Sequence, residues 1–346
     1  MNNFINKTLL NSLKRLYKTP NNALSSASSL PDVIVQNQHE NDIKIYKKQT
    51  PSVLDPCDDE EVQHIAPYLK PTFNFAAYVN KSETLQELVK LGVNLHKLEK
   101  KTDVPEFILG LKFETDIKEH VILLHDLGLT VEQIGVILTK NPFILKECLD
   151  DLKVRINYLE SKKFTAEMIV RIIALNPFWL SFSTRDIDKK LGFFQKTFSL
   201  TGDEVRYLTA KQPKLITYNQ RHIKKSIFTL KEEMGFTDEE YKRILLQKPR
   251  LFMNDHKKLL KTFEYLHNTM KISLETIAQM PDVLGCRLFR LQQRFEYLQR
   301  LNKVQFNPKQ PGYISPALIV SGSDSEFASQ VAQTSIQSFN TFLQTL

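Results

Sequence analysis

Residues 235–252 read GFTDEEYKRILLQKPRLF and carry both the start and the stop of one helix. Gly235 suits the end of a preceding helix, Thr237 can cap the next one, and Glu240 stands three residues on, where a capping box needs an acceptor. The apolar positions Tyr241, Ile244 and Leu245 recur at helical spacing. Pro249 then ends the helix, because it has no N–H to donate and its ring drives Lys248 out of helical geometry.

The same punctuation recurs along the chain as VPEFI (104–108), NPFIL (141–145), NPFWL (176–180), QPKLI (212–216), KPRLF (248–252) and MPDVL (280–284). The prolines, Pro105, Pro142, Pro177, Pro213, Pro249 and Pro281, are 37, 35, 36, 36 and 32 residues apart. A second landmark keeps the same time: Asn94, Thr130, Thr165, Thr201, Thr237 and Ser273, the expected N-caps, are 36, 35, 36, 36 and 36 apart. Gly92, Gly128 and Gly235 mark three of the intervening turns, and Thr130/Gln133, Thr201/Glu204 and Thr237/Glu240 form capping boxes, which Thr165 and Ser273 lack. Degenerate copies are expected around Pro67–Phe75 and at Ser315–Val320, since terminal repeats of an array cap the stack. One such repeat cannot bury its own apolar face, so neighbours must share a core. The fold expected is all-α, an α-solenoid of either hand with about seven or eight two-helix repeats. The pairs Ile144–Leu145, Trp179–Leu180, Leu215–Ile216 and Leu251–Phe252 are expected to plug the layers as core rather than stack on bases.

The N-terminus, MNNFINKTLLNSLKRLYKTP, is basic, amphipathic and free of acidic residues before Asp32. That is the pattern of a mitochondrial transit peptide, here assigned to residues 1–20. An Asn-, Ser- and Pro-rich linker is expected over 21–60, the repeat domain over 61–320 and a C-terminal capping segment over 321–346. Cys57, Cys148 and Cys286 form no CxxC pair, so neither a disulfide framework nor a zinc site is indicated, and no cofactor or metal is expected. No apolar run is long enough to span a membrane. Nucleotide-binding, zinc-protease, hydrolase and kinase motifs do not occur, and His120 and His125, five residues apart, do not share a helix face. An enzyme is therefore not expected.

Formal charge is +8, unevenly spread: residues 61–140 carry −2, residues 141–306 carry +11. Twelve or thirteen places after each proline stand Lys118, Arg155, Lys190, Lys225, Lys261 and Arg294; eight or nine places after the later prolines stand Arg185, Arg221, Lys257 and Arg290. Positions four or five apart lie about one turn apart on a helix, so stacking would turn these ten residues into a double basic ladder. A ladder of cations along a groove displaces counterions from nucleic acid and gives salt-sensitive, largely sequence-independent affinity. The competing expectation is a solvated exterior in which Asp150, Asp186, Asp188 and Asp255 neutralise the stripe locally.

The recurrent Pro-x-apolar stop in NPFIL, NPFWL, QPKLI, KPRLF and MPDVL, the period near 36 and the mitochondrial leader resemble the mitochondrial transcription termination factor (mTERF) family over about residues 65–320. Among the animal branches the NPF-containing repeats and the "GYISP…SGSD" tail are most similar to the third subtype. The resemblance implies a curved half-ring of triangular repeats, each two α-helices plus a short 3₁₀ or third helix, whose concave basic face holds double-stranded nucleic acid. It further implies a mitochondrial matrix location, repression of transcription from mitochondrial DNA, support of ribosome assembly through ribosomal RNA, and transcription or ribosome-assembly proteins as partners. A monomer off the membrane is expected. A protein-interaction scaffold is the alternative from a different class, although the Trp and Tyr positions of tetratricopeptide arrays are missing.

Overall fold

The structure is a computed structural model that describes residues 74–346. The expected leader, the expected linker and residues 67–73 of the expected first repeat lie outside the described residues. The described chain is helical throughout, with no strand. After α1 (Glu83–Lys90), helices that lead into a proline segment alternate with helices that follow one. The pre-proline series is α2 (Leu95–Glu99), α5 (Val131–Lys140), α7 (Ala166–Leu175), α9 (Gly202–Lys211), α11 (Asp238–Gln247) and α13 (Leu274–Gln279). The post-proline series is α4 (Lys118–Asp126), α6 (Leu149–Ser161), α8 (Thr184–Thr197), α10 (Gln220–Phe228), α12 (His256–Glu264) and α14 (Leu288–Arg300). Between them, α3 (Val104–Gly110) carries Pro105, and α15 (Ile336–Leu343) closes the chain.

Each pre-proline helix starts as its sequence dictates. Asn94, Thr130, Thr165, Thr201, Thr237 and Ser273 all accept a hydrogen bond from the backbone N–H three residues on, and the three expected capping boxes are complete. The residue before each cap (Val93, Leu129, Phe164, Leu200, Phe236, Ile272) and the fourth residue after it (Leu98, Ile134, Ile169, Val205, Tyr241, Ile277) are all buried. This is the hydrophobic-staple pair, and it fixes the angle at which the chain enters every layer. Two residues before each cap the backbone turns left-handed. Gly92, Gly128 and Gly235 do so at φ of 77°, 107° and 77°, while Lys163, Ser199 and Lys271 do so at 64°, 49° and 56°. Glycine was legible at three of these turns; the other three accept the strain that a Cβ brings.

The helices end as expected too. Asn141, Asn176, Gln212, Lys248 and Met280, each before a proline, leave helical geometry at φ near −124° to −143° and ψ near 63° to 84°. The proline is more than a stop, however, since it opens a further single turn: Pro142–Lys146, Pro213–Thr217, Pro249–Met253, Pro281–Gly285 and the last copy, Pro316–Val320. In the NPFWL repeat the turn is shorter, Trp179–Ser181. Proline at the first helical position gives up only an N–H that has no intrahelical partner there. Pro105 differs, because α2 ends at Glu99 and the left-handed Asp103 precedes α3. Ile144, Leu145, Trp179, Leu180, Leu215, Ile216, Leu251 and Phe252 are buried in the continuous core.

A proline after a helix removes donors for its last carbonyls, and the preceding layer supplies them. Lys101 donates to the carbonyls of Thr139 and Lys140, both at 2.7 Å, Arg171 to Ala210 at 2.9 Å and Lys211 to Leu246 at 2.9 Å. A cation at a helix C-terminus also suits the macrodipole. Buried Asn141 donates to the Pro177 carbonyl and to Ser181 Oγ, both at 3.0 Å, and Asn176 to Thr217 Oγ1 at 2.9 Å. These cross-layer bonds span 35 to 41 residues, so the repeat period sets the stacking.

Candidate nucleic-acid interface

Five post-proline helices, α6, α8, α10, α12 and α14, lay one edge on the single turn of the next layer. At thirteen residues after the proline, Arg155 donates to the Leu180 carbonyl, Ser226 to Phe252 at 3.0 Å and Arg294 to Ile319 at 2.8 Å. The acceptor is the third residue after the next proline each time. Four residues earlier, His222 Nε2 lies 2.9 Å from the Asn254 carbonyl, and Arg290 donates to the Gly322 carbonyl. The residue thirteen places after a proline therefore faces the seam in α6, α10 and α14, and the residue nine places after it does so in α10 and α14, whereas Asp151, Asp186 and Lys258 at nine are exposed.

One residue further back along a helix is a rotation of about 100°, and that rotation divides the ten candidate residues. Lys118, Arg155, Lys190 and Arg294 stand at thirteen, whereas Lys225 and Lys261 stand at twelve. Arg294 is 0% exposed, with its guanidinium hydrogen-bonded to Asp324 and to the carbonyls of Ile319, Ser321 and Gly322. Arg290 reaches the same Asp324 at 3.5 Å. Burial works against ionisation of Asp324, but the hydrogen bonds and charges of Arg294 and Arg290 outweigh it and hold the carboxyl below the usual range. Arg155 pairs with Glu147 at 2.7 Å, Lys118 pairs with Glu114, and Lys190 lies 5.7 Å from the centre of the Phe182 ring.

The residues eight and twelve places after a proline are an i, i+4 pair on the open face. In three consecutive layers that pair is cationic on both sides: Arg185 and Lys189 on α8, Arg221 and Lys225 on α10, Lys257 and Lys261 on α12. All six are exposed, and among the described residues none forms a side-chain hydrogen bond or ion pair. Asp186, Asp188 and Asp255, which could have neutralised the stripe, are engaged elsewhere. Asp186 accepts from Ser183 Oγ, Asp188 from Tyr158 and Lys162, and Asp255 caps α12 through the Lys258 N–H. Lys189 was missed in the sequence because its neighbour Lys190 fitted the chosen spacing. Fixing the spacing at an i, i+4 pair finds it. The stripe has ends: the same positions hold Asp150 and Val154 on α6, and Phe289 and Gln293 on α14.

His120 is buried with Nε2 2.9 Å from the Glu147 carbonyl, and His125 is exposed beside Asp126. Among the described residues no group of three or more potential ligands could hold a metal ion, and no helix is long and apolar enough to cross a membrane.

A stack of proline-punctuated helical layers with an unpaired cationic stripe is the form of a helical-repeat nucleic-acid-binding protein. The mTERF family model matches residues 72–328, and the chain belongs to that family. It is 46% identical over 340 residues to transcription termination factor 3, mitochondrial, of Rattus norvegicus, covering 97% of this chain and 83% of the relative. The protein of the same name from Mus musculus is 47% identical over 298 residues, covering 85% and 72%, and that from Drosophila melanogaster 38% identical over 307, covering 87% of each.

Proposed function

We propose that this chain is a mitochondrial regulator of gene expression that grips double-stranded nucleic acid along the exposed pairs on α8, α10 and α12 and, on mitochondrial DNA in the matrix, represses transcription. One observation carries the reading: six solvent-facing cations, two per layer over three layers, with no carboxylate spent on them. Cations without a protein partner keep their full charge for phosphates, and a regular stack presents them at a regular interval. Four of the six are Lys, which binds phosphate as a point charge; only Arg185 and Arg221 offer the planar fork suited to guanine. The grip is therefore mostly blind to sequence. The chain acts as a monomer without catalytic chemistry. The names of its relatives, transcription termination factor 3, mitochondrial, support the compartment and the process.

Crosslinking in intact mitochondria followed by sequencing of the bound nucleic acid tests this. Mitochondrial DNA is the expected catch, and release of the protein should raise transcript levels. Recovery of ribosomal RNA alone would move the reading to ribosome biogenesis, and recovery of neither, with proteins captured instead, would make the solenoid a scaffold.

A further inference from the structure

The single turns after the prolines carry a second row of side chains. The residue after the proline is exposed in six successive layers, Glu106, Phe143, Phe178, Lys214, Arg250 and Asp282, and the four inner ones are aromatic or basic. Phe178 is 49% exposed and makes no ring contact among the described residues, while Phe143, 37% exposed, meets Phe107 with ring centres 5.6 Å apart. The Lys146 ammonium stands over both of those rings, 4.6 Å and 4.7 Å from their centres. Lys214 and Arg250 have no side-chain hydrogen bond or ion pair among the described residues. The turns that carry this row are packed against the post-proline helices, since α6, α8 and α10 each lay an edge on the next single turn. Where the stripe gives out, at α6, its register holds Val154, which is 56% exposed. The molecule thus offers paired cations in three layers and, earlier in the chain on two single turns, two exposed rings, of which Phe143 has a cation over it.

We propose that Phe143 and Phe178 stack on unpaired bases continuous with a duplex held on the stripe, so that the preferred ligand is a junction between double and single strand. The inference rests on the duplex reading above. A base presents a π-face to a ring and a phosphate to a neighbouring cation, and a single strand satisfies both at once. A protein with an apolar docking face would cover the rings but leave Lys146, Lys214 and Arg250 without counter-charge. Of the two acids in the row, Asp282 is already paired with Lys248, and Glu106 lies at the row's start beyond both rings. A closed duplex cannot use the rings at all, since its bases are stacked on one another.

The test measures binding of the full chain to a short blunt DNA duplex and to the same duplex with a single-stranded thymidine tail. The tail is expected to tighten binding about tenfold. The double variant Phe143→Ala/Phe178→Ala should abolish that gain while leaving blunt-duplex affinity and its salt dependence unchanged; the melting temperature should fall slightly, because Phe143 gives up its contact with Phe107. Phe178→Trp should keep the gain and Phe178→Leu should not, because leucine retains apolar area but has no plane. A tail that adds nothing to the wild type overturns the proposal, as does a gain indifferent to the ring variants. So does loss of a captured protein in the ring variants with the gain intact, which would make the row a protein-docking face. Failure of the blunt duplex to bind would instead sink the duplex reading, and is read separately.

Discussion

Replacing Arg294 should weaken the fold and spare the grip. Its guanidinium donates to Asp324 at 2.6 and 3.2 Å, to Ile319 at 2.8 Å, to Ser321 at 2.7 Å and to Gly322 at 3.2 Å, and lies 4.8 Å from the Phe327 ring centre. Breaking a buried pair by removing one partner costs about 3–5 kcal/mol. Asp324 is half exposed, so water recovers part of its solvation, and Arg294→Ala should cost nearer ~3 kcal/mol. Asp324→Asn keeps an acceptor and should cost about 1 kcal/mol. Layers of a solenoid contact only their neighbours, so the loss should be local. Urea unfolding reads the total, and amide exchange should show lost protection over 316–343 while α8 and α10 stay protected. Blunt-duplex affinity should hold. The pH dependence has a definite sign: the folded Asp324 pKa is depressed, so its contribution is present above the unfolded value of about 4 and fades as pH falls through the lower folded value. If Arg294→Ala left stability and exchange untouched but lowered duplex affinity, the division between the seam and the open face would be wrong.

Other perturbations test the stacking itself. Gly135→Ala would place a Cβ 2.1 Å from the Leu91 carbonyl oxygen, a backbone atom that cannot step aside, and should cost about 3 kcal/mol or more in urea unfolding. Asn141→Ala leaves the buried Pro177 carbonyl without its cross-layer donor and should cost about 1–3 kcal/mol, with exchange rising at the Trp179–Ser181 turn. Ser199→Gly relieves a left-handed residue and should raise stability by about 1 kcal/mol in the same titration.

The layers were legible because their signals are local. A cap, a staple and a proline act within a few residues, and their spacing alone gives the stack. The third element of each layer was only half legible: residues such as Pro213–Thr217 read as a stop, whereas proline's fixed φ also starts a turn. The site was harder. Whether a lysine meets solvent or a seam turns on one residue of helical phase, and an allowance of twelve or thirteen places is about 100° wide. That allowance merged Lys225 and Lys261 with Arg155 and Arg294, although Ser226 and Thr262, the buried neighbours, occupy the seam in those two layers. The partner of Arg294, Asp324, lies 30 residues away in a segment without a periodic signal.

The central claim is that stacking aligns six free cations into one track for phosphates. It is tested most directly by duplex binding across a salt series, comparing the wild type with Lys189→Ala/Lys225→Ala/Lys261→Ala. With each of the six on one phosphate, the log–log slope should be about −5 and should fall to about half in the triple variant, because each phosphate contact contributes roughly 0.9. A flat slope in the wild type, or one that the triple variant leaves unchanged, would contradict the account.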